Sequence, residues 1–251
     1  MRAWTKTGEP TDHIDPWGLS GAFTTVRLFP EQHIPFLDDY LVRLINSAKI
    51  LQQPWIPEIK LINQRLEEYI TESGITDGLI RICIFDESLA ISDRSAKSNG
   101  TQVEGWLLEY RRPVPAAKST EEKELYGRLS ELNVPNEDWI IIDPKDNDIR
   151  ESATSNLIFV TDDNLVIPEK RILQGVVLRQ ILPRLQNDFP IKRATPLDQE
   201  ISQFEEIILC GTGRGIAPLT GLSELGWTSK SDNAFSRIRK VYDNLIDQKN
   251  A

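Results

Sequence analysis

Strand-like and helix-like segments do not alternate regularly along this chain. That irregularity argues against a doubly wound parallel sheet, which needs a helix between successive strands, and predicts an α+β fold. Residues 22–29 (AFTTVRLF) are rich in β-formers and read as a strand. Residues 35–52 read as a helix, with Leu37, Leu41, Leu44, Ile45, Ala48 and Leu51 at helical spacing, and 57–73 as another, with Ile59, Ile62, Leu66 and Ile70. Strands are predicted at 79–85 and 103–111, separated by a polar loop over 86–101. Segment 112–117 (RPVPAA) holds two prolines and reads as a linker between an N-terminal domain, 1–112, and a C-terminal domain, 118–251. Beyond it the pattern predicts a helix at 120–132, short strands at 138–142, 156–160 and 165–167, and a helix at 174–185. A strong strand at 205–209 runs into the glycine-rich segment 211–215, and a helix at 234–245 follows.

Charge and residue poverty narrow the chemistry. The chain has 38 acidic and 29 basic residues, a net charge of −9, so a nucleic-acid surface is not expected. A locally positive pocket for an anionic ligand remains open. Cys83 and Cys210 form no CxxC pair, and His13 and His33 lie 20 residues apart, so neither a metal site nor a histidine base is expected. Residues 1–17 carry no apolar run and predict no signal peptide. The longest apolar stretches, such as 139–142, are far shorter than the about 20 residues of a membrane span. A cytoplasmic protein with no membrane partner is the expectation.

The residues that could carry chemistry are individually modest. A strand entering Gly211-Thr212-Gly213 can turn successive N–H groups toward a phosphate or carboxylate, with the Thr212 hydroxyl beside them. The segment lacks the GK[ST] of a Walker loop and the βαβ context of a dinucleotide fingerprint, and a plain tight turn is an equal reading. Gly175-Val176-Val177 opens a helix whose first amides favour an anion, though an ordinary helix start explains it as well. Arg43, between Val42 and Leu44, suits phosphate by its planar fork; a snorkelling surface arginine is the alternative. Lys118 and Glu151 are unremarkable in isolation.

Their order is informative. Ala22-Phe23-Thr24-Thr25-Val26-Arg27, Tyr40-Leu41-Val42-Arg43-Leu44, Lys118, Glu151-Ser152-Ala153-Thr154-Ser155-Asn156-Leu157-Ile158-Phe159, Ile172-Leu173-Gln174-Gly175-Val176-Val177 and Cys210-Gly211-Thr212-Gly213 follow one another as they do in the class IV aminotransferases. The chain resembles these fold-type IV pyridoxal-phosphate (PLP) enzymes over nearly its whole length. The resemblance implies a small N-terminal α/β domain, a larger C-terminal barrel-like domain, PLP between them, and a homodimer. It implies that Lys118 carries the cofactor as a Schiff base and moves protons, with Lys123 as a competitor. Glu151, 33 positions after Lys118, would pair with the pyridine nitrogen. Arg43, the amides of Val176 and Val177, Gly211 and Thr212 would hold the phosphate, and Gly213 would receive a substrate carboxylate. Tyr40 stands where the family usually has a histidine.

Within that family the run Phe23-Thr24-Thr25-Val26-Arg27 is closer to the FTTxR of 4-amino-4-deoxychorismate lyases than to the FEG of branched-chain enzymes. The resemblance therefore implies release of pyruvate and 4-aminobenzoate, as in folate biosynthesis, from a small amino substrate bearing a carboxylate. Thr25, Arg27 and Arg94 are the substrate-side candidates, against ordinary strand preference for Thr25 and a solvated loop charge for Arg94. A branched-chain or D-amino-acid transaminase, and a PLP-free paralogue acting as a binding module, remain alternatives.

Overall fold

The computed structural model describes residues 1–11, 15–162 and 164–247. His13 lies outside the described residues. The chain forms two compact units, Met1–Ala96 with Val114–Lys123, and Lys97–Pro113 with Glu124–Ala251.

The first unit contains β1 (Arg2–Thr5), β2 (Pro10–Thr11), β3 (Gly21–Leu28), α1 (Leu37–Ile50), α2 (Ile59–Ser73), β4 (Gly78–Phe85) and β5 (Ser88–Arg94). Its sheet runs β2-β1-β5-β4-β3, antiparallel throughout. Cross-strand register fixes its two faces. Ala22, Thr24 and Val26 stand opposite Ile84, Ile82 and Ile80 on the face that α1 covers, and all six are fully buried. Leu41, Leu44 and Ala48 supply the buried stripe of α1. Each such leucine contributes about 1.5–3 kcal/mol on burial. Phe23, Thr25 and Arg27 point to the other face, with Cys83, Arg81 and Leu79 opposite them.

The second unit contains β6 (Val103–Glu109), β7 (Glu137–Ile142), β8 (Ile149–Ser152), β9 (Asn156–Thr161), β10 (Asn164–Ile167), α4 (Val176–Leu185), β11 (Ile191–Arg193), β12 (Glu206–Gly211), β13 (Gly215–Leu222), β14 (Trp227–Thr228) and α5 (Asn233–Asp247). The short helix α3 (Lys123–Gly127) straddles the boundary between the two units. The sheet order is β11-β10-β9-β12-β13-β6-β7-β8, and an additional β8–β9 pairing closes six of these strands into a barrel. Strand β6 is parallel to both β7 and β13. Leu157, Phe159, Ile207, Leu209, Ala217 and Leu219 fill the core.

Three expectations differ from this picture. The polar loop at 86–101 contains β5, reached through a two-residue turn that begins at Asp86 in the left-handed region (φ 49°). Its alternation, Leu89 and Ile91 inward, is masked by Ser92, Asp93 and Arg94 beyond. The helix expected over 120–132 is one turn, α3, followed by a 3-10 turn at Arg128–Glu131. The units are not divided by one linker at 112–117. Strand β6 pairs with β7 and β13, so the chain up to Pro113 belongs to the second unit. Val114–Lys123 returns to the first, where Ser119 bridges Ala22 and the Lys118 carbonyl accepts the Phe23 N–H at 2.9 Å.

Helix α5 is anchored at its start by a carboxylate from the barrel. Glu206, on β12 and buried, accepts the N–H groups of Ala234 (2.9 Å) and Phe235 (2.8 Å). These are first-turn donors without an intrahelical partner, and negative charge is favoured there. Glu206→Ala is expected to cost about 2 kcal/mol, read as a lower urea midpoint with unchanged slope. Glu206→Gln, which retains an acceptor, is expected to lose less.

Candidate active site

In the second unit, the turn between β8 and β9 organises its surroundings. Ser152 and Ser155 close it, Ser152 N–H to Ser155 carbonyl at 2.8 Å and Ser155 N–H to Ser152 Oγ at 2.9 Å. At its two ends stand Glu151 and Asn156, paired across the barrel seam and both buried. Glu151 Oε2 accepts the Leu173 N–H at 3.3 Å, and Asn156 Nδ2 donates to the Leu173 carbonyl at 2.9 Å. Segment 172–177 is thus held by its backbone. Asn156 also dictates the next residue but one: a Cβ at Gly175 would lie 1.9 Å from Asn156 Oδ1. Gly175 is the N-cap of α4 and offers no side chain to it, so the first amides of α4, from Val176 onward, have no side-chain cap.

Arg112 Nη1 lies 3.3 and 3.4 Å from the two oxygens of Glu151, and both side chains are buried. A buried carboxylate held by a guanidinium suits a partner for a protonated ring nitrogen. The sequence reading assigned Arg112 to a linker and missed this pairing; no local signal distinguishes it from its neighbour Arg111.

Thr212 occupies the loop joining β12 to β13, which closes on the Gly211–Gly215 pair. A Cβ at Gly211 would meet Ser155 Oγ at 2.6 Å and the Thr154 carbonyl at 2.9 Å, so this loop rests directly on the β8–β9 turn. Gly213 accepts from Ser98 Oγ at 3.2 Å. Arg214 and Asp138 lie buried in the same unit, Nε to Oδ2 at 3.2 Å. Burial pushes the Asp138 carboxyl up, against the pull of Arg214 and of the Thr154 and Ser152 hydroxyls.

In the first unit, the Lys118 segment lies along β3. The Lys118 N–H donates to Ser47 Oγ on α1 at 3.2 Å, and its ammonium sits 4.6 Å from the centre of the Phe23 ring. Arg43, one helical turn before Ser47, donates to Thr24 Oγ1 at 2.7 Å and lies over the Tyr40 ring. Arg81, directly across from Thr25, stacks on Trp17 (4.7 Å) and Phe23 (5.7 Å). Its guanidinium makes no ion pair among the described residues, and its Nε is buried without a hydrogen-bond partner. Lys118, Phe23, Thr25 and Arg81 therefore form one group. Arg81 was not singled out from the sequence, where it is one arginine in an apolar strand.

Arg27 and Arg94 lie on the same face, beyond Thr25 and Arg81. Arg27, four residues beyond Phe23 and so about 13 Å along the strand, pairs with Asp77 at 2.7 Å and covers the Phe29 ring. Arg94 ends β5 on that face, opposite Leu79 and two residues beyond the Arg81–Ser92 pair, and burial together with the Arg81 charge pulls its pKa down; Lys123 is exposed at the start of α3. Burial pushes the Cys83 thiol up to about 12 and raises Cys210 as well, so neither offers a thiolate. Asp143, Asp146 and Asp148 approach one another within 4.8 Å, but Arg150 reaches all three at 2.5–2.8 Å, which makes an ion-pair network of them.

The family model for amino-transferase class IV matches residues 21–222. The chain belongs to that family and is a PLP-dependent enzyme by that membership. No curated protein matches it by sequence. Among solved structures it is similar to a branched-chain aminotransferase from Thermoproteus uzoniensis, with TM-score 0.82 and 18% identity over 100% of this chain and 96% of that one. A branched-chain aminotransferase from Thermobaculum terrenum in its PLP form gives 0.79 and 17% over 98% and 93%. A Legionella pneumophila protein with the provisional name 4-amino-4-deoxychorismate lyase gives 0.79 and 17% over 94% and 96%. At these identities the likeness establishes the fold. No helix among the described residues is long and apolar enough to cross a membrane.

Gly175→Ala should force Asn156 off Leu173 and cost about 1–3 kcal/mol, measured by thermal unfolding of the cofactor-free protein. The penalty should shrink in an Asn156→Ser background, because the clashing amide is gone.

Proposed function

We propose that this enzyme is a 4-amino-4-deoxychorismate lyase, releasing pyruvate and 4-aminobenzoate. The observation that carries the reading is the group on the face of the first unit's sheet opposite α1: a lysine ammonium over Phe23, Thr25 beside it, and Arg81 without an anionic partner among the described residues. Two cation–ring distances share the Phe23 centroid, 4.6 Å for Lys118 and 5.7 Å for Arg81, so the two cations lie within about 10 Å of each other. That spacing suits a compact substrate whose amino-bearing carbon meets Lys118 while a carboxylate meets Arg81.

Bound PLP supplies the electron sink for the reaction. The residues of the chain supply position and proton movement. Glu151, held by Arg112, partners the ring nitrogen. Thr212, Gly211, the amides of Val176 and Val177, and Arg43 bind the phosphate. Lys118 takes the proton from the amino-bearing ring carbon. Loss of that proton and cleavage of the ring carbon–oxygen bond release pyruvate and leave an aromatic ring. Thr25 and Arg81 hold the substrate, with Gly213 receiving a further carboxylate. Lys123, exposed, is the weaker candidate for the cofactor lysine. A homodimer in the cytoplasm completes the proposal.

The test is an assay panel on the purified protein with PLP. Pyruvate and 4-aminobenzoate should appear in equal amounts from aminodeoxychorismate; amino transfer between glutamate and oxo acids instead would select the transaminase. Borohydride should fix a pyridoxyl group on Lys118. Label on Lys123 would overturn that assignment, and no label at all would leave a binding module. Arg81→Gln should raise KM about tenfold or more, as expected for loss of a charge-assisted bond, with a smaller change in kcat.

A further inference from the structure

Arg214 is buried in the second unit with every edge of its guanidinium engaged. Nε donates to Asp138 Oδ2 at 3.2 Å and to Thr154 Oγ1 at 3.1 Å. Nη1 reaches the Pro135 carbonyl at 3.4 Å, and Nη2 reaches the carbonyls of Val134 (2.8 Å) and Glu137 (2.6 Å). Asp138 Oδ2 also accepts the hydroxyls of Ser152 at 2.8 Å and Thr154 at 2.5 Å. The side chains of Arg214 and Asp138 are 3% and 0% exposed.

Removing two charges from water costs about as much as their attraction returns, or more. An apolar pair would fill the same space but leave the carbonyls of Val134, Pro135 and Glu137 without their donor, so packing alone does not account for this pair. What the ion pair adds is direction. Arg214 stands two residues after Thr212 and leaves the β12–β13 loop to grip Thr154, inside the turn that runs from Glu151 to Asn156. Its Nε meets Asp138 and Thr154 while its two Nη groups hold the carbonyls of Val134, Pro135 and Glu137, a planar spread of donors that a lysine cannot reproduce.

We propose that Arg214 and Asp138 are a positioning pair that sets the separation between the Thr212 loop and the Glu151 turn. The inference rests on the reading that these two segments meet opposite ends of one rigid ligand, its phosphate and its ring nitrogen. A rigid ligand is bound well only if both contacts are met together. A ligand that touches the Thr212 loop alone is indifferent to that separation.

The experiment compares the full-length wild type, Asp138→Leu/Arg214→Met and Arg214→Lys, all freed of cofactor. Pyridoxamine 5'-phosphate reports on both contacts and forms no bond to a lysine. Inorganic phosphate reports on one. The double variant should have a lower Tm, because the carbonyls of Val134, Pro135 and Glu137 lose their donor, but should keep the wild-type affinity for phosphate. Its Kd for pyridoxamine phosphate should rise about tenfold, the value of one hydrogen bond to a charged group. Arg214→Lys should show the same split, and it decides the matter if the double variant does not fold. Equal losses for both ligands, or no loss for either, would overturn the positioning role. A wild type that binds neither ligand would overturn the cofactor reading, and this inference with it.

Discussion

The barrel of the second unit closes on one registered pair, Glu151 with Asn156. Closure alone could use any two residues. These two are polar, buried, and each spends a side chain on the backbone of Leu173. The seam of the sheet and the path of segment 172–177 therefore depend on the same contact. From it follow the glycine at 175, whose Cβ would strike Asn156, and the start of α4 without a side-chain cap. Burying Glu151 in turn requires a cation, and Arg112 supplies it. A chain of necessity runs from strand closure to a fixed carboxylate and a helix N-terminus.

The first unit solves a different problem. One face of its sheet is an ordinary core, sealed by α1 with aliphatic side chains. The other face places cations against aromatic rings: Lys118 on Phe23, Arg81 on Trp17 and Phe23. A ring face attracts a cation without neutralising it. Such an arrangement holds Arg81 in place without an ion pair among the described residues. Arg27, on the same face, shows the contrast: Asp77 has already claimed it.

Much of the fold was legible because local pattern decides it. The helices α1, α2, α4 and α5 and the strands β3, β4, β7 and β9 follow hydrophobic periodicity, which is a property of neighbours. Strand β13 was not recognised, since Gly215, Pro218 and Gly221 read as turn residues; Pro218 stands just before the first residue paired with β6. Strand β5 was hidden by a polar end. Helix 120–132 was overestimated because its composition favours helix while its chain is recruited in part to the edge of β3. Of the site, the stretch Glu151–Asn156 and the glycine loop stood out by motif. Arg112, Arg81 and the Arg214–Asp138 pair did not, because an arginine in sequence carries no mark of its partner.

By itself the sequence determined the α+β class, the family, and the order of the residues able to meet an anion, a ring nitrogen and a proton. It could do so because periodicity and motifs are written in adjacent positions. Only the tertiary structure decided which charges meet a partner. Arg112 meets Glu151 39 positions away, and Arg214 meets Asp138 across 76. Those pairings exist only once the barrel has closed, since closure is what removes the water that would otherwise solvate each charge alone. The same is true of the two units, whose boundaries follow strand pairing across the chain and not the prolines at 112–117.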